Sequence, residues 1–177
     1  MAQRVFSLPA LPRVNGAAAR LLPAATAIIA TMLTVVPIRV PGYAALAPAF
    51  TLMAVYHWTI YRPDLLPPAV LFAVGFAEDL ITGGPLGVTP LLLLVARATV
   101  LNYRRYFVNR GFPFVWAGFT ILASATMFVL WALHCVLDAT FLDFRSTLFR
   151  TVLTVASFPA ASFLLGRSQR AVMGLGR

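Results

Sequence analysis

Phe76-Ala77-Glu78-Asp79-Leu80-Ile81-Thr82-Gly83-Gly84-Pro85-Leu86-Gly87-Val88-Thr89-Pro90 is the stretch on which the reading of this chain turns. Adjacent carboxylates sit near the end of an apolar run, a glycine pair follows, and a proline opens the next apolar run. Glycine reaches the backbone conformations a tight reversal needs, and proline lacks the amide hydrogen that a first helical turn leaves unpaired anyway. The stretch therefore reads as a short hairpin between two helices. An acid at mid-bilayer costs about 2.5–3.5 kcal/mol on the insertion scale, so Glu78 and Asp79 should turn into a bundle or a wet cavity. Gly75 lies four residues before Asp79 on the same helix face, where its missing side chain lets a second helix approach. Asp79 is expected near the free amides and positive dipole end of the following helix, which would stabilise its charge by ~0.3–1 kcal/mol. A transported-substrate or proton site is the functional alternative for this pair.

Outward from the hairpin, the chain is 177 residues long, 60% hydrophobic and 11% charged, with a mean hydropathy of +0.87. Soluble domains carry about a quarter charged residues. A water-soluble fold could not hide so much apolar surface, and there is no room for a separate soluble catalytic domain. Crossing a hydrocarbon core of ~30 Å takes about 20 mostly apolar helical residues. The stretches that approach this are Leu21–Val36, Tyr43–Ile60, Pro67–Ile81, Leu86–Leu101, Phe114–Leu137 and Leu148–Gly166. The expected fold class is an all-α integral membrane protein, a compact bundle of six transmembrane helices over residues 21–166. Residues 1–20 form a cytoplasmic N-terminal segment and 167–177 a cytoplasmic tail. The first run follows Arg4, Arg13 and Arg20 and imitates a secretory signal, but it is long and no polar mature domain follows, so it reads as the first span. Pairs of small residues four apart, Thr120/Ser124, Ala156/Ala160, Ser157/Ala161 and Ser162/Gly166, are candidates for close helix contact.

The net charge of +9 comes from arginine, since the chain has no lysine. The arginines lie between apolar spans, so the basic balance points to anionic lipid headgroups, at roughly 1 kcal/mol each, and not to nucleic acid. Arg4, Arg13, Arg20, Arg62, Arg104, Arg105, Arg110, Arg167, Arg170 and Arg177 fall in alternate joints and at the termini; Arg39, Arg145 and Arg150 fall on the other side. Positive charge is retained in the cytoplasm, which puts both termini there. Trp58 and Tyr61 at one inner helix end, with Tyr103, Tyr106 and Phe107 at another, suit the headgroup level. Tyr103, Arg104, Arg105, Tyr106 and Arg110 form a candidate contact for anionic lipid or a partner.

Arg97 lies inside the fourth span and is expected to snorkel toward the cytoplasm on its long stem, not to pair with Asp79. His134 and Asp138, four apart, could share a hydrogen bond; this reads as an interfacial pair that helps end the helix. His57, among aromatic residues, also reads as interfacial. Cys135 is the single cysteine, so neither an intramolecular disulfide nor a thiolate metal cluster is available. No phosphate-binding loop, nucleophile elbow or H-E-x-x-H pair occurs. No catalytic residue, metal site or cofactor is expected.

Asp79, Gly83, Gly84, Pro85, Leu86 and Gly87, between two apolar spans, resemble the hairpin of the bacterial rod shape-determining protein MreD family. Length, span number and the basic joint after the fourth span also agree. Glu78 departs from that pattern, which places an apolar residue there, and this bears on the packing of the hairpin. The resemblance implies a non-catalytic inner-membrane subunit of the cell-elongation complex. It would bind MreC and work alongside MreB, RodA and a class B penicillin-binding transpeptidase in lateral peptidoglycan synthesis. It also implies a fold similar to the substrate-binding subunits of energy-coupling-factor transporters. A bundle with so little extramembrane mass acts through its lipid-embedded faces, its joints and any internal cavity, and homo-oligomerisation is compatible with that. The alternative is a substrate-binding membrane subunit of a small-molecule, vitamin-type transporter. Glu78 and Asp79 argue for it, and the want of an obvious second polar cluster argues against it.

Overall fold

The computed structural model describes residues 17–35, 47–108, 111–137 and 144–173. Among them the chain is all-helical: α1 Ala17–Val35, α2 Phe50–Tyr61, α3 Pro68–Thr82, α4 Val88–Val108, α5 Phe112–Leu137 and α6 Phe144–Met173, with a single 3₁₀ turn at Pro63–Leu65. Each helix falls on one of the six apolar stretches. Two outgrow the expectation: α4 continues past Leu101 to Val108, and α6 extends beyond Leu148 and Gly166 at its two ends. The added residues include Arg104, Arg105, Arg167 and Arg170, and arginine is among the better helix formers, so polarity ends the apolar run without ending the helix. The expected start of the second stretch, at Tyr43, lies outside the described residues.

Among the described residues two helical segments are long and apolar enough to cross a membrane, Phe112–Val136 and Phe144–Arg170, and Leu21–Thr34 is a shorter apolar helix. At 1.5 Å per residue the 12 residues of α2 and 15 of α3 rise about 18 and 22 Å, short of a ~30 Å core. The expectation of six full spans is thus met in helix number, and in length and apolarity only by α5 and α6.

α2 is the hub, packed against α1, α4 and α6. Every residue from Thr51 to Ile60 is buried, as expected of a helix whose apolar surface runs all the way round. Tyr56 meets the rings of Phe119 and Phe158 at 5.2 and 5.6 Å, those two stack at 4.1 Å, and the Tyr56 hydroxyl donates to the Val115 carbonyl at 2.8 Å. This centrality corrects two expectations. Trp58 is wholly buried, its indole N–H donating to Thr26 Oγ1 at 2.8 Å, and faces neighbouring helices instead of the surface. His57 is buried as well, with Nδ1 3.4 Å from Ser162 Oγ.

Among the described residues close helix approach falls at Gly75 and Gly118. A Cβ built on Gly75 would stand 2.6 Å from Pro90 Cα, so α3 and α4 touch backbone to backbone there. A Cβ on Gly118 would collide with the Phe107 ring and stand 2.8 Å from the Tyr56 hydroxyl, whereas one on Gly166 would meet nothing within 4 Å. Ser124 is exposed. Inside α6, Pro159 has no amide to offer the carbonyl one turn back, that of Val155. The indole N–H of Trp116 on α5 donates to that carbonyl at 3.1 Å, replacing the missing backbone bond.

Candidate functional site

The ends of α1 and α3, the starts of α2, α4 and α6, and the last turns of α5 converge at one end of the bundle, around a cavity of about 440 Å³. The hairpin forms part of its wall. Gly83, at φ +68°, ends α3 in the left-handed conformation, its amide donating to the Asp79 carbonyl at 3.0 Å. Gly87, at φ +93°, makes the second left-handed step before α4. These are the two positions where the turn requires glycine.

Asp79 is buried, 3% exposed. Its Oδ2 accepts from the Gly87 amide at 2.8 Å and the Thr89 amide at 3.3 Å. The carboxylate of α3 thereby occupies the free amides that open α4, where the helix dipole also favours negative charge. Gly75, one turn back, supplies the close contact with Pro90 that brings these amides within reach. Pro85 and Gly84 line the cavity, while Leu86 is 62% exposed and turns outward.

Glu78 takes a different direction. It lines the cavity at 8% exposure, with Thr51 of α2 on the same wall. Its Oε2 has no hydrogen-bond partner. Thr51 in turn lies 3.2 Å, Oγ1 to Oγ1, from Thr31 on α1. Across the cavity stands Arg150 of α6, the cation whose field acts on Glu78. Arg150 Nε donates to the Ala47 carbonyl at 3.0 Å. Among the described residues the ion-pair contact falls elsewhere, between Arg62 and Asp64 at 3.6 Å, and Glu78 and Arg150 stop short of one. His134, Thr34, Thr89 and Thr126 add polar groups to the wall.

This cluster was not visible in the sequence, where no second polar group seemed to complete a pocket around Glu78 and Asp79. By charge count Arg150 falls in an outer joint, and Thr51 lies in an apolar run with no local pattern to mark it. The one signal was that an acid inside an apolar helix requires a partner, and Arg150 lies within the sixth apolar stretch. His134 Nδ1 lies 2.8 Å from the Leu130 carbonyl one turn back; Asp138, expected beside it, lies outside the described residues.

Other basic residues gather at the opposite end. Arg104 Nε donates to the Ile60 carbonyl at 2.6 Å and Arg97 Nη2 to the Pro63 carbonyl at 3.2 Å. Arg97 thus reaches the α2–α3 connection and stays away from Asp79. Arg105 lies over the Tyr106 ring at 4.9 Å, and Tyr103 and Tyr106 are exposed beside it. Arg110 lies outside the described residues. Among the described residues no group of three or more metal-ligating side chains occurs.

Compared with known proteins, residues 18–165 match the family model described as rod shape-determining protein MreD. No curated protein and no solved structure matches, so a likeness to energy-coupling-factor subunits gains no support from a known fold.

Proposed function

The chain belongs to the rod shape-determining protein MreD family, and from that premise we propose that it is a non-catalytic, multi-pass subunit of the bacterial inner membrane that supports rod shape by binding MreC. The family match over 18–165 carries the reading. Exposed apolar side chains on the outer helices support its membrane part: Ile29, Ile121, Phe128, Val152 and Phe163 are each half exposed or more, a surface suited to lipid. All six helices are placed in the membrane, the short α2 and α3 shielded by their neighbours. The arginine distribution puts both termini and the Arg104–Arg105 end in the cytoplasm and the hairpin cavity on the outer side. MreB, RodA and a class B penicillin-binding transpeptidase complete the larger assembly, in which MreC is the direct contact, made through a transmembrane helix. Depletion of the protein in its rod-shaped host, followed by microscopy of cell width, tests this. Rounding and widening reversed by a wild-type copy is the expected outcome; rods that keep their width would overturn it.

One observation favours a second reading. The cavity joins Glu78, Thr51 and Arg150 into the polar cluster that a substrate-binding subunit of a small-molecule transporter would need. Normal rods with a growth defect cured by an added nutrient would turn the assignment to that carrier.

A further inference from the structure

The cavity holds an acceptor and a cation that do not satisfy each other. Glu78 is more than nine-tenths buried, and its Oε2 is left without a donor. A buried polar atom without a partner costs on the order of 1–3 kcal/mol, so a group that brings a donor to Oε2 binds with that cost relieved. Arg150 is anchored through Nε to the Ala47 carbonyl, which leaves the terminal nitrogens of its guanidinium as donors to the cavity. A guanidinium edge suits two oxygens of one phosphate. The site therefore asks for a donor-bearing cation and an anion in one small molecule, a few bonds apart.

The wall also carries apolar side chains, Leu92, Met127 and Leu130 among them. At the hairpin Leu80, Ile81, Leu86 and Leu91 are each more than half exposed. A ligand whose polar head fills the cavity and whose hydrocarbon runs out over these side chains covers both surfaces. At about 440 Å³ the space is of the size that holds small-molecule head groups (~300–1,000 Å³).

We infer that the hairpin cavity is a binding site for a zwitterionic phospholipid bearing a primary ammonium, a phosphatidylethanolamine, with the ammonium on Glu78 and the phosphate on Arg150. The inference rests on the membrane placement proposed above and not on the MreC partner. A phosphatidylcholine carries the same charges but no N–H to donate to Oε2, and a phosphatidylglycerol lacks the cation.

The test uses the full chain, purified in detergent and stripped of lipid, with lipid binding followed by native mass spectrometry and by thermal unfolding. The expected result is a preference of about tenfold or more for dioleoyl phosphatidylethanolamine over the choline and glycerol lipids, the size of one charge-assisted hydrogen bond. Equal binding of the three lipids by the wild-type chain would overturn the inference, and that measurement needs no variant to fold. E78Q should remove the preference for the ethanolamine lipid and leave the choline lipid unchanged, whereas R150Q should weaken all three. An E78Q variant that keeps the wild-type preference would overturn it. So would water-soluble glycerophosphoethanolamine that binds as tightly as the diacyl lipid, since a soluble ligand would then suffice. Recovery of the protein from the soluble fraction of cells would instead defeat the membrane placement, a failure separable from loss of lipid selectivity.

Discussion

Glu78 and Asp79 are neighbours in the chain, yet successive helical positions differ by about 100° around the axis, and the two carboxylates reach different surroundings. Asp79 finds its partners, the amides of Gly87 and Thr89, within its own hairpin. Its role could be read ahead of the structure because acid, glycine pair and proline are local features. Glu78 shares the cavity wall with Thr51 and Arg150, which come from distant helices, and no local pattern announces such a meeting. For Asp79 the consequence is measurable. D79A should lose about 1 kcal/mol of stability, the usual worth of an N-terminal cap, while D79N, which keeps an oxygen acceptor, should lose less. Thermal unfolding in detergent checks the order; equal melting of D79A and wild type would mean that the amides of α4 find water or lipid instead.

The six helices were legible as apolar runs, because a run of that kind has few other ways to pair its backbone in lipid. Which run forms the centre was not. Leu, Val and Ala serve a lipid-facing and a protein-facing surface equally well, so α2 looked like any other span, and Trp58 and His57 were misplaced at an interface. The short reach of α2 was hidden for the same reason, since apolar flanks read as helix whether or not they continue it, whereas that of α3 is legible in the brief run Pro67–Ile81. The contact between α3 and α4 depends on one residue. Adding a methyl group to Gly75 would place it 2.6 Å from the Pro90 backbone, which cannot swing aside as a flexible side chain can. G75A is expected to cost about 1–3 kcal/mol through this overpacking and, by parting the helices, to lengthen the Asp79–Gly87 bond. A lowered melting temperature for G75A, compared with an unchanged one for G166A where a Cβ meets nothing, is the result that would show it.

On the scale of the whole molecule the two ends differ in kind. One encloses a cavity with a carboxyl group and a guanidinium on its wall; the other presents arginine and tyrosine on the last turns of α4. If the basic end orients the chain and meets anionic lipid or a partner, replacing Arg104 and Arg105 by glutamine should reduce recovery of MreC with the tagged protein several-fold in membranes. Topology mapped by cysteine labelling separates a flipped chain from a weakened contact, and unchanged recovery with unchanged topology would remove that end from the interface. The seam between α5 and α6 has a consequence for biogenesis. Ribosomes build the chain from its amino end, so in the membrane placement proposed above Trp116 enters the bilayer before Val155. The carbonyl stranded by Pro159 therefore arrives beside a helix that already carries its indole donor, and the interval in which it stands bare in hydrocarbon lasts only as long as the last helix takes to dock.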